Sequence, residues 1–159
     1  MPVKQEELQT DDLVPVSVWR LVVSEEGGEE SLVILKEDHG EALLPIAIGF
    51  CEAAAIRQLV EEKLDRGMKL RPLTHELLVR AIESLRARVE RGIITRLEHG
   101  TFYACLVLRS KEEEFEVDAR PSDVICSTLA SGSLLYARRQ LLEKVTDGLL
   151  DGPLGEGDA

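Results

Sequence analysis

Two short segments of this sequence bring together residue types that can bind an anion and move a proton. Residues 71–76 read Arg-Pro-Leu-Thr-His-Glu, and residues 118–123 read Asp-Ala-Arg-Pro-Ser-Asp. Proline suits the first turn of a helix because the N–H that it lacks has no partner there. Ser, Thr and Asp can accept hydrogen bonds from the free N–H groups of that turn, and a nearby arginine favours phosphate or carboxylate. If both helix starts face one cleft, the chain carries an anion site that also contains acids and a histidine.

Phosphodiester hydrolysis is the reaction that such a set could support, since it needs an activated water, a proton for the leaving oxygen and positive charge at the phosphate. We predict that His75 acts as general base or acid, because its unperturbed pKa of about 6.5 lies near neutral pH. Asp118, Asp123 and Glu52 are the predicted catalytic carboxylates and could hold Mg²⁺ or Mn²⁺, which prefer carboxylate oxygen. The predicted phosphate ligands are Arg71, Arg120, Thr74 and Ser122.

The same residues also admit a structural interpretation. Thr74 and Ser122 are natural helix caps, and Asp123 lies where an acid complements the positive end of a helix dipole. Asp118 could pair with an arginine, Arg71 or Arg120, in a buried network. Under this alternative the chain is a noncatalytic module that binds an anion or a protein. The sequence contains no Walker loop, dinucleotide fingerprint or zincin motif, so no organic cofactor is expected.

Composition limits the setting in which this chemistry could operate. The 159 residues suit one domain, and a net charge of −11 argues against tight, nonspecific binding to duplex nucleic acid. A small local basic site for single-stranded or flexible nucleic acid remains compatible with that charge. The 3 cysteines are scattered and odd in number, which is typical of reduced thiols in a cytoplasmic protein. No segment is apolar enough to span a membrane, so no membrane partner is expected.

Hydrophobic periodicity predicts one domain over residues 13–146, with flexible tails at 1–12 and 147–159. Strands are predicted at 14–23, 31–36, 41–48, 93–97, 101–109, 114–119 and 134–137. Helices are predicted at 50–65, from Thr74 to just before Gly92, at 121–130 and at 138–145. The second helix has the apolar stripe Leu77, Leu78, Ala81, Ile82, Leu85 and Val89.

A repeat is visible in this order of elements, because two hairpins each run directly into a helix. Superposing one unit on the other places Glu52 at the position of Asp123. We therefore predict an α+β domain of duplicated β-β-α units, with a largely antiparallel sheet curling toward a barrel and helices packed outside. The strand edges of two small repeats favour a homo-oligomer, most simply a dimer.

Four segments in this order resemble the bifunctional nuclease family, and the resemblance extends over about residues 16–145. They are residues 44–49 (Leu-Pro-Ile-Ala-Ile-Gly) with Glu52, Ala53 and Ile56; 71–78 (Arg-Pro-Leu-Thr-His-Glu-Leu-Leu); 100–104 (Gly-Thr-Phe-Tyr-Ala); and 118–123. The resemblance implies a duplicated α+β fold whose sheet closes toward a barrel. It also implies nuclease activity, since plant relatives are described as cutting RNA and DNA.

The chain departs from the family pattern at two places. After Ser122, many relatives continue with an acid and Ala-Ile-Ala-Leu-Ala-Leu, whereas this chain has Asp-Val-Ile-Cys-Ser-Thr-Leu. Some relatives also append a helical module shared with excision-repair proteins, for which residues 147–159 are too short and too rich in glycine. The leading hypothesis is therefore a metal-assisted nuclease, without a predicted repair partner.

Overall fold

A computed structural model describes residues 12–24, 30–64 and 71–150 of the chain. These residues form seven strands and four helices, and the α+β class is confirmed. In chain order the elements are β1 (Leu13–Val22), β2 (Ser31–Glu37), β3 (Leu43–Ile48), α1 (Phe50–Leu64), α2 (Thr74–Ser84), β4 (Ala87–Glu98), β5 (Thr101–Ser110), β6 (Glu113–Ala119), α3 (Pro121–Ser131), β7 (Leu134–Arg138) and α4 (Arg139–Leu150). Among the described residues, no helix has the length and apolar character needed to cross a membrane.

The seven strands form one sheet in the order β3-β2-β1-β7-β4-β5-β6. Every neighbouring pair is antiparallel except β4 and β7, which run parallel. Each half of the chain thus contributes a three-stranded meander, and β3 and β6 each lead directly into a helix, α1 and α3. The sheet is not closed, since β3 and β6 are its two edges. A common origin of the two halves and a curl toward a barrel stay predictions.

Helix α3 lies closest to the sheet. Its residues 124–128 are all buried, and the absence of a side chain at Gly92 on β4 makes this close approach possible. A Cβ atom at Gly92 would lie 2.4 Å from Cγ1 of Val124 and 2.7 Å from Cγ2 of Thr128. Because the helix rests directly on the strand, the residues at its N-terminus are held in a defined position.

Helix α2 is shorter than the sequence predicted. It ends at Ser84, and the backbone reverses through Arg86, which has a φ of 61°. Periodicity assigned Val89 to the helix and Gly92 to the position that ends it. Both residues belong to strand β4 instead. The predicted extension was wrong because residues 87–90 alternate polar and apolar side chains as a strand does, and the apolar members also fit a helical spacing.

The predicted apolar stripe of α2 was also partly wrong. Leu77, Leu78 and Leu85 are 61%, 43% and 80% exposed, whereas Val79, which lies outside that stripe, is buried. The helix carries apolar residues on two sides, so the sequence pattern does not identify the side that meets the core.

The remaining elements match the predicted ones to within a few residues. Helix α4 continues through Leu150, four residues into the segment predicted as the C-terminal tail. Residues 1–11 and 151–159, which make up most of the two predicted tails, lie outside the described residues.

Candidate functional site

Three helix N-termini meet at one place. Gly49, Leu73 and Arg120 precede α1, α2 and α3, and the carbonyl oxygen of each accepts the first helical N–H at 2.8–3.1 Å. Helix α3 packs against both α1 and α2. The positive ends of three helix dipoles therefore converge, an arrangement that favours carboxylates in the first turns.

The side chains of these first turns form a continuous hydrogen-bonded network. Arg120 donates from Nε to Oδ2 of Asp123 at 2.8 Å and from Nη2 to Oδ1 at 3.2 Å, while its Nη1 donates to Oε1 of Glu52 at 3.0 Å. Nε2 of His75 lies 3.0 Å from Oδ1 of Asp123. The His75, Glu52 and Asp123 side chains are 17%, 26% and 32% exposed, whereas Arg120 is 64% exposed. The structure thus joins four of the eight predicted site residues in one network.

The charges within this network support each other. The hydrogen bond from Arg120 holds the pKa of the Asp123 carboxyl below its usual value, against the opposing effect of burial, and the bond with His75 lowers it further. Hydrogen bonds to Asp123 and then Glu52 raise the pKa of Arg120. Because an ionised carboxylate only accepts hydrogen bonds, Nε2 of His75 carries the proton in the neutral ring. Its Nδ1 is then the free acceptor.

The first turns are stabilised differently from the prediction. The N-cap positions are Leu73 and Arg120, so the structural interpretation of Thr74 and Ser122 as caps is wrong. Thr74 is the first residue of α2, and Ser122 is the buried second residue of α3, after a proline at the first position as predicted. At the start of α2, the side chain of Glu76 accepts a hydrogen bond from the backbone N–H of Leu73 at 2.7 Å.

An open cleft of about 500 Å³ adjoins the network and is lined by both edge strands of the sheet. Tyr103 is one of its lining residues, and the Arg96 guanidinium lies 4.0 Å from the centroid of the Tyr103 ring. Its charged lining is mainly acidic, because three carboxylates face a single guanidinium that is already hydrogen-bonded. The charged lining residues are Glu30, Glu52, Asp118 and Arg120.

Asp118 does not make the predicted ion pair with an arginine. It is exposed in the cleft wall and forms no hydrogen bond or ion pair with any described residue. Ser122 lines the cleft as well, whereas Arg71 and Thr74 are exposed and join neither the cleft nor the network. His75 and Asp123 do not line the cleft.

The sequence analysis missed Gly49, which permits the position of Glu52. A Cβ atom there would lie 2.3 Å from Oε2 of Glu52, so only glycine leaves this carboxylate where Arg120 binds its other oxygen. The signal available in the sequence was a glycine directly before a predicted helix that carries an acid in its first turn.

The predicted metal ligands do not fit a metal ion in this arrangement. Within the described part of the chain, no group of three or more His, Cys, Asp or Glu side chains is placed to hold one. The carboxylates of Glu52 and Asp123 share the Arg120 guanidinium between them.

Sequence comparisons agree with the resemblance. Residues 33–147 match the model of the bifunctional nuclease domain. Two proteins of Mycobacterium tuberculosis, from strains CDC 1551 and H37Rv and both named as uncharacterized, are each 36% identical over 126 residues, which cover 79% of this chain and 71% of theirs. The matched domain contains all four residues of the network and Asp118. The chain therefore belongs to the bifunctional nuclease domain family.

Proposed function

We propose that this protein hydrolyses phosphodiester bonds of RNA or DNA, with the His75–Asp123 pair as its proton-transfer group. Membership of the bifunctional nuclease domain family supports the reaction class. The observation that carries the assignment is the 3.0 Å contact between Nε2 of His75 and Oδ1 of Asp123. The proposal includes a cytoplasmic location and a dimeric state, of which the latter can be checked by analytical ultracentrifugation.

In this mechanism Asp123 sets the tautomer and orientation of the imidazole. With Nε2 bonded to the carboxylate, Nδ1 can take a proton from water as the water attacks phosphorus, and the same ring can return a proton to the leaving oxygen. Asp123 stabilises the imidazolium that forms between these two steps. Its lowered pKa keeps it ionised for this purpose at neutral pH.

Arg120 would supply the positive charge at the phosphate. Its guanidinium is largely exposed, so a phosphate oxygen can approach it while Glu52 and Asp123 keep the group oriented. The cleft acids oppose a rigid polyanion, and the His75 ring is recessed. A single-stranded or flexible segment, which can bend one phosphate toward Arg120, is therefore the proposed substrate.

The decisive experiment is cleavage of labelled single-stranded RNA and DNA by highly purified protein, with Mg²⁺, Mn²⁺ or EDTA. We expect His75→Ala and Asp123→Asn each to lower the rate at least about 100-fold. His39→Ala, which changes an exposed histidine in the turn after β2, is the matched control and should cut like the parent. Equal cutting by the parent and the folded His75→Ala variant would reject the assignment, and the EDTA arm tests the predicted metal separately.

A noncatalytic binding module is the second candidate, and one observation favours it. Arg120 already makes three hydrogen bonds to Glu52 and Asp123, so its binding capacity is largely used within the protein. The acidic cleft beside it also disfavours phosphate. Absence of cleavage by the purified parent with Mg²⁺, with Mn²⁺ and with EDTA would favour this module over the enzyme.

A further inference from the structure

Strand β6 is an open edge of the sheet. It pairs with β5 along residues 113–119 and is the last strand in the sheet order, so no other strand of the described residues lies beside its outer backbone groups. The opposite edge is less available, because Pro45 in the middle of β3 lacks an N–H and α4 packs against that strand. An extended segment that adds to this sheet would therefore use β6.

The two sides of β6 differ in chemistry. Phe115 and Val117 lie opposite Leu108, which packs against the core, and the buried Leu106 of β5, yet they are 48% and 44% exposed. A further strand beside them would cover these apolar side chains. They supply the apolar half of a docking surface.

The opposite side of β6 is acidic. Glu116 and Asp118 alternate with the apolar pair, are exposed, and form no hydrogen bond or ion pair with a described residue. Glu114, on the same side, is already paired with Arg91 and Arg109. A docked strand would therefore meet two negative charges on this side of β6, those of Glu116 and Asp118.

We propose that β6 docks an extended segment of another protein in which basic and apolar residues alternate. Basic side chains would pair with Glu116 and Asp118, and apolar ones would cover Phe115 and Val117. Nucleic acid is disfavoured at this edge because both free charges repel phosphate. A second β6 is disfavoured because an antiparallel pair of these strands would place acids near acids.

The docked segment would continue into the cleft. Asp118 and Ala119, at the end of β6, line the cleft together with Glu52. A further basic residue of the docked segment, beyond the part that pairs with β6, can thus reach the Glu52 carboxylate, which would repel nucleic acid. This interaction uses neither His75 nor Asp123, although its end shares the cleft with Arg120 and Glu52.

The test uses a capped nine-residue peptide of alternating lysine and valine, titrated into the full-length protein and followed by fluorescence anisotropy and by backbone NMR shifts. We expect binding that shifts the amides of β6. Glu116→Lys should weaken binding at least about tenfold through loss of one attractive pair and gain of a repulsive one. Glu143→Lys, an equal charge change at an exposed site on α4, should bind like the parent.

Two further peptides separate strand pairing from ionic attraction to an acidic protein. A peptide with proline at its centre should lose binding, because it cannot complete the ladder. A peptide of alternating glutamate and valine should bind Glu116→Lys better than it binds the parent. No binding of the lysine–valine peptide, equal binding of the proline peptide, or equal weakening by both charge reversals would overturn the proposal.

Discussion

Replacing Arg120 by alanine is the most informative perturbation of the network. The substitution removes three hydrogen bonds and leaves the carboxylates of Glu52 and Asp123 near each other without a cation between them. A buried network would lose about 3–5 kcal/mol of unfolding free energy on such a change. Arg120 is 64% exposed, however, so the solvent already screens much of the attraction.

The expected loss follows from that exposure. Exposed ion pairs contribute about 0.2–1 kcal/mol each, so two of them give a loss of about 0.4–2 kcal/mol. For a chain of this size, that change lowers Tm by about 1–8 °C. If the network places the phosphate and orients His75, the rate of cleavage of single-stranded RNA should fall far more than this small loss of unfolding free energy explains.

Differential scanning calorimetry and the cleavage assay together test this reasoning. Arg88→Ala is the matched control, since Arg88 is 63% exposed and makes one ion pair, with Glu90, away from the site. It should lower Tm by no more than Arg120→Ala and leave cleavage unchanged. A fall in Tm above about 12 °C for Arg120→Ala would refute the estimate and indicate that the network mainly holds the fold together.

Three other expectations can be checked on the purified protein. Gly92→Ala should destabilise the fold by about 1–3 kcal/mol, because the new methyl group would clash with Val124. Urea unfolding measures this loss of stability, and a midpoint equal to that of the parent would contradict the close packing. Cys51, the exposed thiol, should react quickly with a thiol reagent. Cys105 and Cys126 should react only after unfolding, since burial raises the pKa of Cys105 to about 11 and that of Cys126 to about 12. Because the pKa of Asp123 is lowered in the folded state, its stabilising contribution is complete above the unfolded pKa of about 3.9 and is lost as pH falls through the folded value. The stability difference between the parent and Asp123→Asn should therefore shrink between pH 5 and pH 2 in acid unfolding, and a difference that grows would contradict the ion pair.

Local pattern was sufficient for most of the elements. Strand alternation, helical spacing and glycine at turns located nine of the eleven elements to within a few residues, because each of these signals arises within a few residues. The boundary between α2 and β4 failed for the same reason. Residues 85–89 satisfy both spacings, and only the packing of β4 between β7 and β5 selects the strand.

The candidate site divides in a similar way. Residue chemistry pointed to His75, Asp123, Arg120 and Glu52, and equally to four residues that do not join the network. The sequence could not show that Arg120 bonds Glu52 and Asp123 rather than Asp118. That choice depends on the convergence of three helices whose N-termini are far apart in the chain.

The amino-acid sequence by itself therefore indicated the family, the α+β class and the set of candidate side chains. The tertiary structure decided which of these side chains touch, that Asp118 faces a cleft without a partner among the described residues, and that β6 is an edge of the described sheet. The physical reason is that the capacity of a side chain to donate or accept hydrogen bonds is fixed by its residue type. Partner choice, in contrast, depends on distances set by the packing of α3 on the sheet at Gly92.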